Sequence, residues 1–271
     1  MLALLPVGAQ VIVELDLARL RANATVGPLA SKALAQLGAD AHVPGLPLMV
    51  VGSPLASADA VVLAAYGVGT AQAATVTVIA TKADVPNATR LGPDLEAVGP
   101  DEWTSQLQTR AQLAAQHPLS IPDDLKQLRE HAQPEGTTGA VLRVTAQLSF
   151  DARVALERLT DLDAAPARIS LWADVADDLA IVLDADALDP GDQTGSGSQP
   201  NKNAAKRLAH TIRGAFAALG DQPFVRTLGV EASLDEARLI AHGTWVRAIV
   251  AVGPRHLARV VERARAMLVT P

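Results

Sequence analysis

The sequence contains no cysteine, which excludes disulfide bridges, thiolate metal ligands and a cysteine nucleophile. A chain without cysteine is compatible with both a reducing and an oxidising compartment, so the absence gives no location. The chain has 271 residues. This length suffices for one large domain or two ordinary ones, each with a hydrophobic core that needs no covalent or metal support.

Aromatic residues are scarce and make up 3% of a chain that is 49% hydrophobic. The core must therefore be filled by Ala, Val, Leu and Ile, with Trp103, Trp172 and Trp245 as isolated large side chains. The shortage of aromatic residues also disfavours stacking on nucleic-acid bases. A formal net charge of -6 argues against the basic surface that binds the phosphates of nucleic acids. The sequence predicts no nucleic-acid partner.

Long hydrophobic runs are missing as well. Apolar runs such as residues 248–252 are far shorter than the roughly 20 residues of a membrane-spanning helix, so we expect no transmembrane segment. Residues 1–7 are apolar but lack the basic residues and cleavage site of a secretory signal. A Leu-Leu-Pro sequence shortly before the first strand is typical of a mature exported protein. The predicted location is periplasmic or exported, with the cytoplasm as the alternative.

One tetrapeptide occurs twice, as Ala97-Val98-Gly99-Pro100 and as Ala251-Val252-Gly253-Pro254. Each copy ends an apolar stretch and begins a helical pattern, as expected of a supersecondary unit that is present twice. We predict an α+β fold with two related units, residues 1–135 and 136–271. Each unit has mostly antiparallel strands with helices on one face. The predicted boundary lies at Pro134-Glu135-Gly136.

The hydrophobic pattern predicts the elements of the first unit. Asp16 is the expected N-cap of a helix that Gly27-Pro28 interrupts. The predicted strands are 10–15, Ala60–Tyr66, 73–81 and Leu95–Val98, the second and third forming a hairpin, and the predicted helices are 17–37, 103–116 and 120–130.

The second unit begins with the same order of a strand, a helix and a hairpin. An additional helix follows a segment rich in Gly, Ser and Pro, residues 187–202, which we predict to be a flexible loop. The predicted strands are 140–146, 168–174, 179–185, 225–230 and 239–252, and the predicted helices are 149–162, 204–219 and 254–268.

The segment Gly67-Val68-Gly69-Thr70 follows a strand and begins like a dinucleotide-binding fingerprint. The third glycine is missing, and the next strand begins too early to leave room for the helix that would hold a pyrophosphate. We interpret the segment as a hairpin turn and predict no bound cofactor.

The densest group of charges is acidic. Carboxylates at the ends of loops suit a calcium ion, but the spacing after Asp184 lacks the third ligand and the distal Glu of a calcium-binding loop. We predict no metal site and interpret the pair Asp177-Asp178 as a hairpin turn and the others as solvated loop residues. The group consists of Asp174, Asp177, Asp178, Asp184, Asp186, Asp189 and Asp192.

Cations and histidines give no stronger signal. Lys202, Lys206, His210 and Arg213 share one side of a predicted helix, which we interpret as its solvated face, with an anion site as the alternative. No histidine pair has the i, i+4 spacing of a helical zinc site, so each is expected to be structural or exposed. The six are His42, His117, His131, His210, His242 and His256.

No local motif marks a reactive centre, and the sequence identifies no catalytic residue. A Gly-x-Ser-x-Gly elbow is absent, and Gly195-Ser196-Gly197-Ser198 lies in the predicted flexible loop. We predict that Trp103 and Trp245 pack in the core and do not bind a ligand. The favoured function is a non-enzymatic binding or structural protein of the bacterial cell envelope. The alternatives are a hydrolase with carboxylate and histidine side chains in a cleft between the two predicted units, and a cytoplasmic regulator that binds a small ligand.

Overall fold

The computed structural model describes residues 1–36, 53–160, 164–187 and 202–267. The chain divides into two compact units, Met1–Lys126 and Gln127–Pro271. Both units combine helices with strands that pair antiparallel, which confirms the predicted α+β class. The segment predicted as a flexible loop, residues 187–202, lies largely outside the described residues.

The first unit contains a sheet in which the strands follow the order β4-β5-β3-β2-β1, all neighbours being antiparallel. A 3₁₀ turn, Leu2–Leu4, precedes the first strand, and α5 (Asp123–His131) begins at the end of this unit. The other elements are β1 (Val11–Asp16), α1 (Leu17–Ala22), α2 (Gly27–Gln36), α3 (Ser53–Ser57), β2 (Ala60–Tyr66), β3 (Ala74–Ala80), β4 (Thr89–Gly92), β5 (Leu95–Val98) and α4 (Asp101–Gln116).

The interruption between α1 and α2 follows from local side-chain chemistry. Asp16 caps α1 by accepting a hydrogen bond of 2.8 Å from the backbone N–H of Arg19, as its predicted role requires. A Cβ atom on Gly27 would lie 2.2 Å from the carbonyl oxygen of Arg21. The chain can therefore turn from one helix into the next at this point only with glycine.

Both faces of the first sheet are covered by helices. Successive side chains of a strand point to opposite faces. On one face Ile12, Val62 and Val78 pack with Leu107 of α4 and with Leu4 of the N-terminal turn. On the other face the side chains of β2 and β3 pack against α1, α2 and α3, through Val61, Ile79, Leu17, Leu34 and Leu55.

The prediction that helices cover one face is wrong for this unit. β2 is a largely apolar run, β3 carries Thr75 and Thr77 between its apolar residues, and the side chains of both strands are buried on both faces. An apolar face left in water would be unstable.

The second unit contains a sheet with the order β6-β7-β8-β10-β9. Its α7 packs on one face of this sheet through Ala205, Leu208 and Ile212. The elements are β6 (Leu142–Gln147), α6 (Phe150–Thr160), β7 (Arg168–Val175), β8 (Leu179–Asp186), α7 (Lys202–Gly220), α8 (Pro223–Leu228), α9 (Glu231–Asp235), β9 (Arg238–His242), β10 (Trp245–Val252) and α10 (Pro254–Met267).

Several elements differ from the sequence predictions. α3, α9 and β4 were not predicted, and residues 239–252, predicted as one strand, belong to β9 and β10. Residues 225–230, predicted as a strand, belong mainly to α8: Pro223 occupies its first turn and Gly229 ends it with φ +75°, the signals of a helix start and stop. β4 was missed because Thr89–Gly92 lacks an apolar pattern. The segment Gly67-Val68-Gly69-Thr70 is the predicted hairpin turn, with positive φ at both glycines.

Among the described helices, none combines the length and the apolar character needed to cross a lipid bilayer.

Leu107 and Leu113 of α4 allow a matched test of this packing, because Leu107 is 0% exposed and Leu113 is 47% exposed. We expect Leu107→Ala to lower the free energy of unfolding by about 2–5 kcal/mol, since it removes buried contacts and leaves a cavity. Leu113→Ala should change it by less than about 1 kcal/mol, because alanine suits an exposed helix position. Urea denaturation followed by circular dichroism measures both. Equal effects would contradict the described orientation of α4.

Candidate functional site

In the second unit, charged side chains lie in two rows across β7, β8 and β10. The register places Asp184 opposite Ser170 on one neighbour and Arg247 on the other. It also places Asp186 opposite Arg168 and Trp245. Because Asp184 and Asp186 are two residues apart, both carboxylates point to the same face of the sheet. This face is opposite to the one that α7 covers.

Asp184 is the centre of the first row and is only 1% exposed. The guanidinium of Arg247 donates two hydrogen bonds to it, from Nε to Oδ1 at 2.8 Å and from Nη2 to Oδ2 at 2.6 Å. Nδ1 of His131, at the end of α5, lies 2.8 Å from Oδ2. The hydrogen bond to Asp184 raises the pKa of Arg247, against the opposing effect of desolvation. Both oxygens of the buried carboxylate are thus satisfied.

The second row is built around Asp186, which is fully buried and forms an ion pair with Arg168 through Nε, at 3.0 Å, and Nη2. Trp245 connects the rows. Its ring stacks on the imidazole of His131 at 3.9 Å with an interplanar angle of 16°. The guanidinium carbon of Arg168 lies 5.2 Å from the centre of the Trp245 ring, a cation–π arrangement.

These contacts hold the end of α5 against the sheet. Nη2 of Arg247 also donates to the carbonyl oxygen of His131 at 2.9 Å, a favourable contact at a helix C-terminus. The next residue, Ala132, donates its N–H to Ser170 Oγ at 3.1 Å. Since Arg247 occupies both oxygens of Asp184 and Trp245 covers one face of His131, we assign this cluster to the anchoring of α5.

The interpretation of the acidic residues as solvated is wrong for Asp184 and Asp186, which are buried strand residues. Asp177 and Asp178 are exposed at the hairpin turn, as predicted. Asp189 and Asp192 lie outside the described residues. The i, i+2 spacing of the two buried aspartates was the available signal, since it puts both on one face of a strand. Their partners come from three other elements and carry no equal signal in the sequence.

The remaining candidates are surface or packing residues. His256 Nε2 lies 2.6 Å from the carbonyl oxygen of Gly229, so it joins α10 to the end of α8. His117, His210 and His242 are exposed, as are Lys206 and Arg213, while His42 and the segment 195–198 lie outside the described residues. Within the part of the chain that the structure describes, no three His, Asp or Glu side chains form a group that could hold a metal ion.

The first unit contains two cavities beside its N-terminal segment. The larger has a volume of about 560 Å³. Its floor includes Val62 of β2 and Glu14 of β1, which are opposite each other in the sheet. Its walls come from the N-terminal turn and from the segment that precedes α5. The described residues that line it are Met1, Leu2, Ala3, Glu14, Val62, Leu119, Ser120, Ile121, Asp123 and Lys126.

The smaller cavity has a volume of about 330 Å³ and lies between the N-terminal segment and α4. The described residues that line it are Pro6, Val7, Trp103, Gln106, Thr109 and Arg110. Trp103 stacks on Tyr66, with ring centres 4.0 Å apart, so the predicted packing role of this tryptophan is combined with a place in a cavity wall.

Arg110 fastens the N-terminal segment, which contributes to the lining of both cavities. Its Nη2 donates to the carbonyl oxygen of Ala3 at 2.8 Å. Its Nε is buried and has no hydrogen-bond partner among the described residues. A buried donor without a partner is destabilising by about 1–3 kcal/mol.

Tyr66 lies beneath the same segment. Its hydroxyl donates to the carbonyl oxygen of Pro6 at 3.1 Å. Burial raises the pKa of the Tyr66 hydroxyl well above the ordinary value of 10.0, and the nearby positive charge of Arg110 offsets only part of this effect.

Asp184→Asn tests the anchoring cluster. We expect the free energy of unfolding to fall by about 2–3 kcal/mol, because Arg247 and His131 lose their carboxylate. The loss should be smaller than for a fully buried pair, since Arg247 is 41% exposed and can be hydrated. Asp221→Asn, which breaks an exposed pair with Arg226, is the control and should cost less than about 1 kcal/mol. Equal losses in urea denaturation would contradict the assignment.

Tyr66→Phe tests the raised pKa of the chain's one tyrosine. A neutral tyrosine is favoured in the folded state, so its contribution is present below pH 10 and is lost as the pH rises further. The wild-type free energy of unfolding should therefore fall by up to about 1.4 kcal/mol per pH unit more steeply than that of the variant above pH 10. Absorbance of tyrosinate at 295 nm in the folded protein near pH 10 would contradict it.

Comparison with known proteins gives only distant structural similarity. No protein-family model matches the sequence, and no curated protein matches it. The fold is similar to two crystal structures of TP0453. Crystal form I shares 10% sequence identity at a TM-score of 0.46 and covers 97% of both chains. Crystal form III shares 11% identity at a TM-score of 0.47 and covers 96% of both chains.

Proposed function

We propose that this chain is a non-enzymatic binding protein of the bacterial cell envelope that holds a small apolar molecule in its first unit. The observation that supports the proposal is the cavity of about 560 Å³ beside the N-terminal turn. Pockets for small ligands in proteins have volumes of roughly 300–1,000 Å³ and are mainly apolar, with a few polar groups that orient the ligand. The envelope location stays a prediction.

The lining of this cavity suits an apolar ligand with a polar end. Leu119 and Ile121 offer aliphatic contact on one wall, and Leu2 offers it on another. Ionisable side chains at Asp123 and Lys126 belong to the same lining, and they could bind a polar group of the ligand at the solvent side, where both are exposed. Apolar contact supplies the affinity in such a site, and the polar groups supply the orientation.

We also infer that the two units descend from one duplicated unit. In support, the second strand of each unit pairs with the first and third, and the fifth strand lies between the third and the fourth. Both copies of the tetrapeptide end the fifth strand of their unit and lead into a helix, α4 or α10.

The hydrolase alternative gains one observation, the contact between His131 and the buried Asp184. A His–Asp pair can act as a general base when the carboxylate orients the imidazole. Here Arg247 binds both oxygens of that carboxylate, which weakens its effect on the imidazole. Among the described residues, no nucleophilic side chain forms a hydrogen bond with His131. The binding function therefore remains the better supported proposal.

N-phenyl-1-naphthylamine, a neutral apolar dye that fluoresces strongly in apolar surroundings, tests the binding function. We expect saturable binding to the folded wild-type chain. Ser120→Trp should weaken it by roughly tenfold or more, the equivalent of losing about 60 Å² of apolar contact, because the indole would fill the cavity. Ser120 is exposed, so the substitution should preserve the fold.

Gln108→Trp is the matched control. This residue is exposed on α4 and is absent from the lining of both cavities, so the variant should bind the dye as the wild type does. Wild-type protein that does not bind the dye, or a Ser120→Trp variant that binds it unchanged, would overturn the proposed function.

A further inference from the structure

We propose that the smaller cavity, of about 330 Å³, is a second binding site that takes an amphipathic anion. The ligand would have an apolar body and one acidic head group that binds Arg110. The inference extends the proposed function, since it assumes that the first unit binds small molecules. The second site differs from the one in the larger cavity in its position, in its lining residues and in the charge of its ligand.

The charge of this cavity comes from one residue. Among the described residues that line it, Arg110 alone is charged, while Gln106 and Thr109 are polar and neutral. The larger cavity differs, because its lining combines Lys126 with the carboxylates Glu14 and Asp123. An anion therefore meets an unopposed cation in the smaller cavity and carboxylates in the larger one.

The guanidinium of Arg110 belongs to the lining of the cavity. One nitrogen, Nη2, is engaged with the carbonyl oxygen of Ala3. The buried Nε has no hydrogen-bond partner within the described residues. A carboxylate, sulfonate or phosphate oxygen fits the planar donor group of an arginine, and such charge-assisted hydrogen bonds are stronger than neutral ones.

Apolar side chains in the lining of this cavity can contact the apolar part of the ligand. Val7 is 80% exposed, the largest exposure among the large hydrophobic residues of the described chain, and it lines the cavity beside Pro6 and Trp103. The ring of Trp103 is held in place by stacking on Tyr66 at 4.0 Å. A ligand body placed between Val7 and Trp103 would remove both from water, at a short distance along α4 from Arg110.

Two dyes that differ by one group test the proposal. 8-Anilinonaphthalene-1-sulfonate is N-phenyl-1-naphthylamine with an added sulfonate, so it supplies the apolar body and the acidic head. We expect Arg110→Gln and Gln106→Trp to weaken binding of the sulfonate by about tenfold to a hundredfold. Neither variant should affect the neutral dye, which occupies the larger cavity.

The reverse pattern is expected for the larger cavity. Ser120→Trp should weaken the neutral dye and spare the sulfonate. Lys126→Gln, which removes the cation of the larger cavity, should leave the affinity for the sulfonate unchanged. A sulfonate that loses affinity in Lys126→Gln or Ser120→Trp, or that binds Arg110→Gln as it binds the wild type, would overturn the inference.

Arg110 also holds the N-terminal segment, so its substitution could disturb that segment. A second variant therefore leaves Arg110 unchanged. Thr109→Glu places a negative charge in the lining. It should lower the affinity for the sulfonate by about tenfold through repulsion, while the affinity for the neutral dye is unchanged. Gln108→Glu, exposed and outside the lining, is its matched control and should bind both dyes normally. Unchanged binding of the sulfonate to Thr109→Glu would overturn the anion site. Failure of the neutral dye alone in wild-type protein would overturn the proposed function and leave this inference standing.

Discussion

The first unit depends on the burial of β2 and β3 from both sides. Their side chains are almost all small aliphatic groups, and both faces of the two strands are buried. Hydrophobic burial is roughly proportional to the apolar area removed from water, so small side chains stabilise a core only when cover is complete and close. This requirement puts α1, α2 and α3 on one face and α4 with the N-terminal turn on the other.

The cavities follow from how the second of these faces is covered. A single long helix would pack its side chains continuously, but here the cover consists of α4, the N-terminal turn and the segment before α5. Leu4 and Leu107 fill the centre of the face. At the junctions between the pieces the side chains do not meet, and the two cavities lie there. The positions of the two cavities are thus set by short covering elements and not by the sheet itself.

The second unit solves a similar problem with charge. On the face opposite α7, Trp172 and Val182 provide an apolar part, while Asp184 and Asp186 replace the aliphatic residues further along β8. Buried carboxylates are unfavourable unless they are paired and hydrogen bonded. Arg168, Arg247 and His131 supply those partners, and because they come from different elements they fix where α5 ends on the sheet. The pairing specifies an arrangement that aliphatic side chains would define less strictly.

The sequence predicted most elements because their signals are local. The hairpin of β2 and β3 has two apolar runs around glycines with positive φ, and Asp16 caps α1 as its position indicates. The strand predicted for residues 225–230 was wrong because their β-branched residues outweighed the helix stop signal at Gly229. The partners of Asp184 and the lining of both cavities could not be predicted, since they are brought together by packing between residues as distant as Ala3 and Arg110.

Arg110 shows why a site of this kind leaves no motif. In the sequence it is one cation on the amphipathic pattern of α4, where such residues are ordinarily solvated. Three features of its environment are not visible in the sequence. Arg110 donates a hydrogen bond to the carbonyl of Ala3, its charge acts on the hydroxyl of Tyr66, and it lines a cavity together with Trp103. All three features lie where α4 and the N-terminal segment cover β2 and β3. The same packing that stabilises the core therefore places a guanidinium in a cavity wall beside an exposed apolar surface, and the proposed site follows from the fold rather than from a local sequence motif.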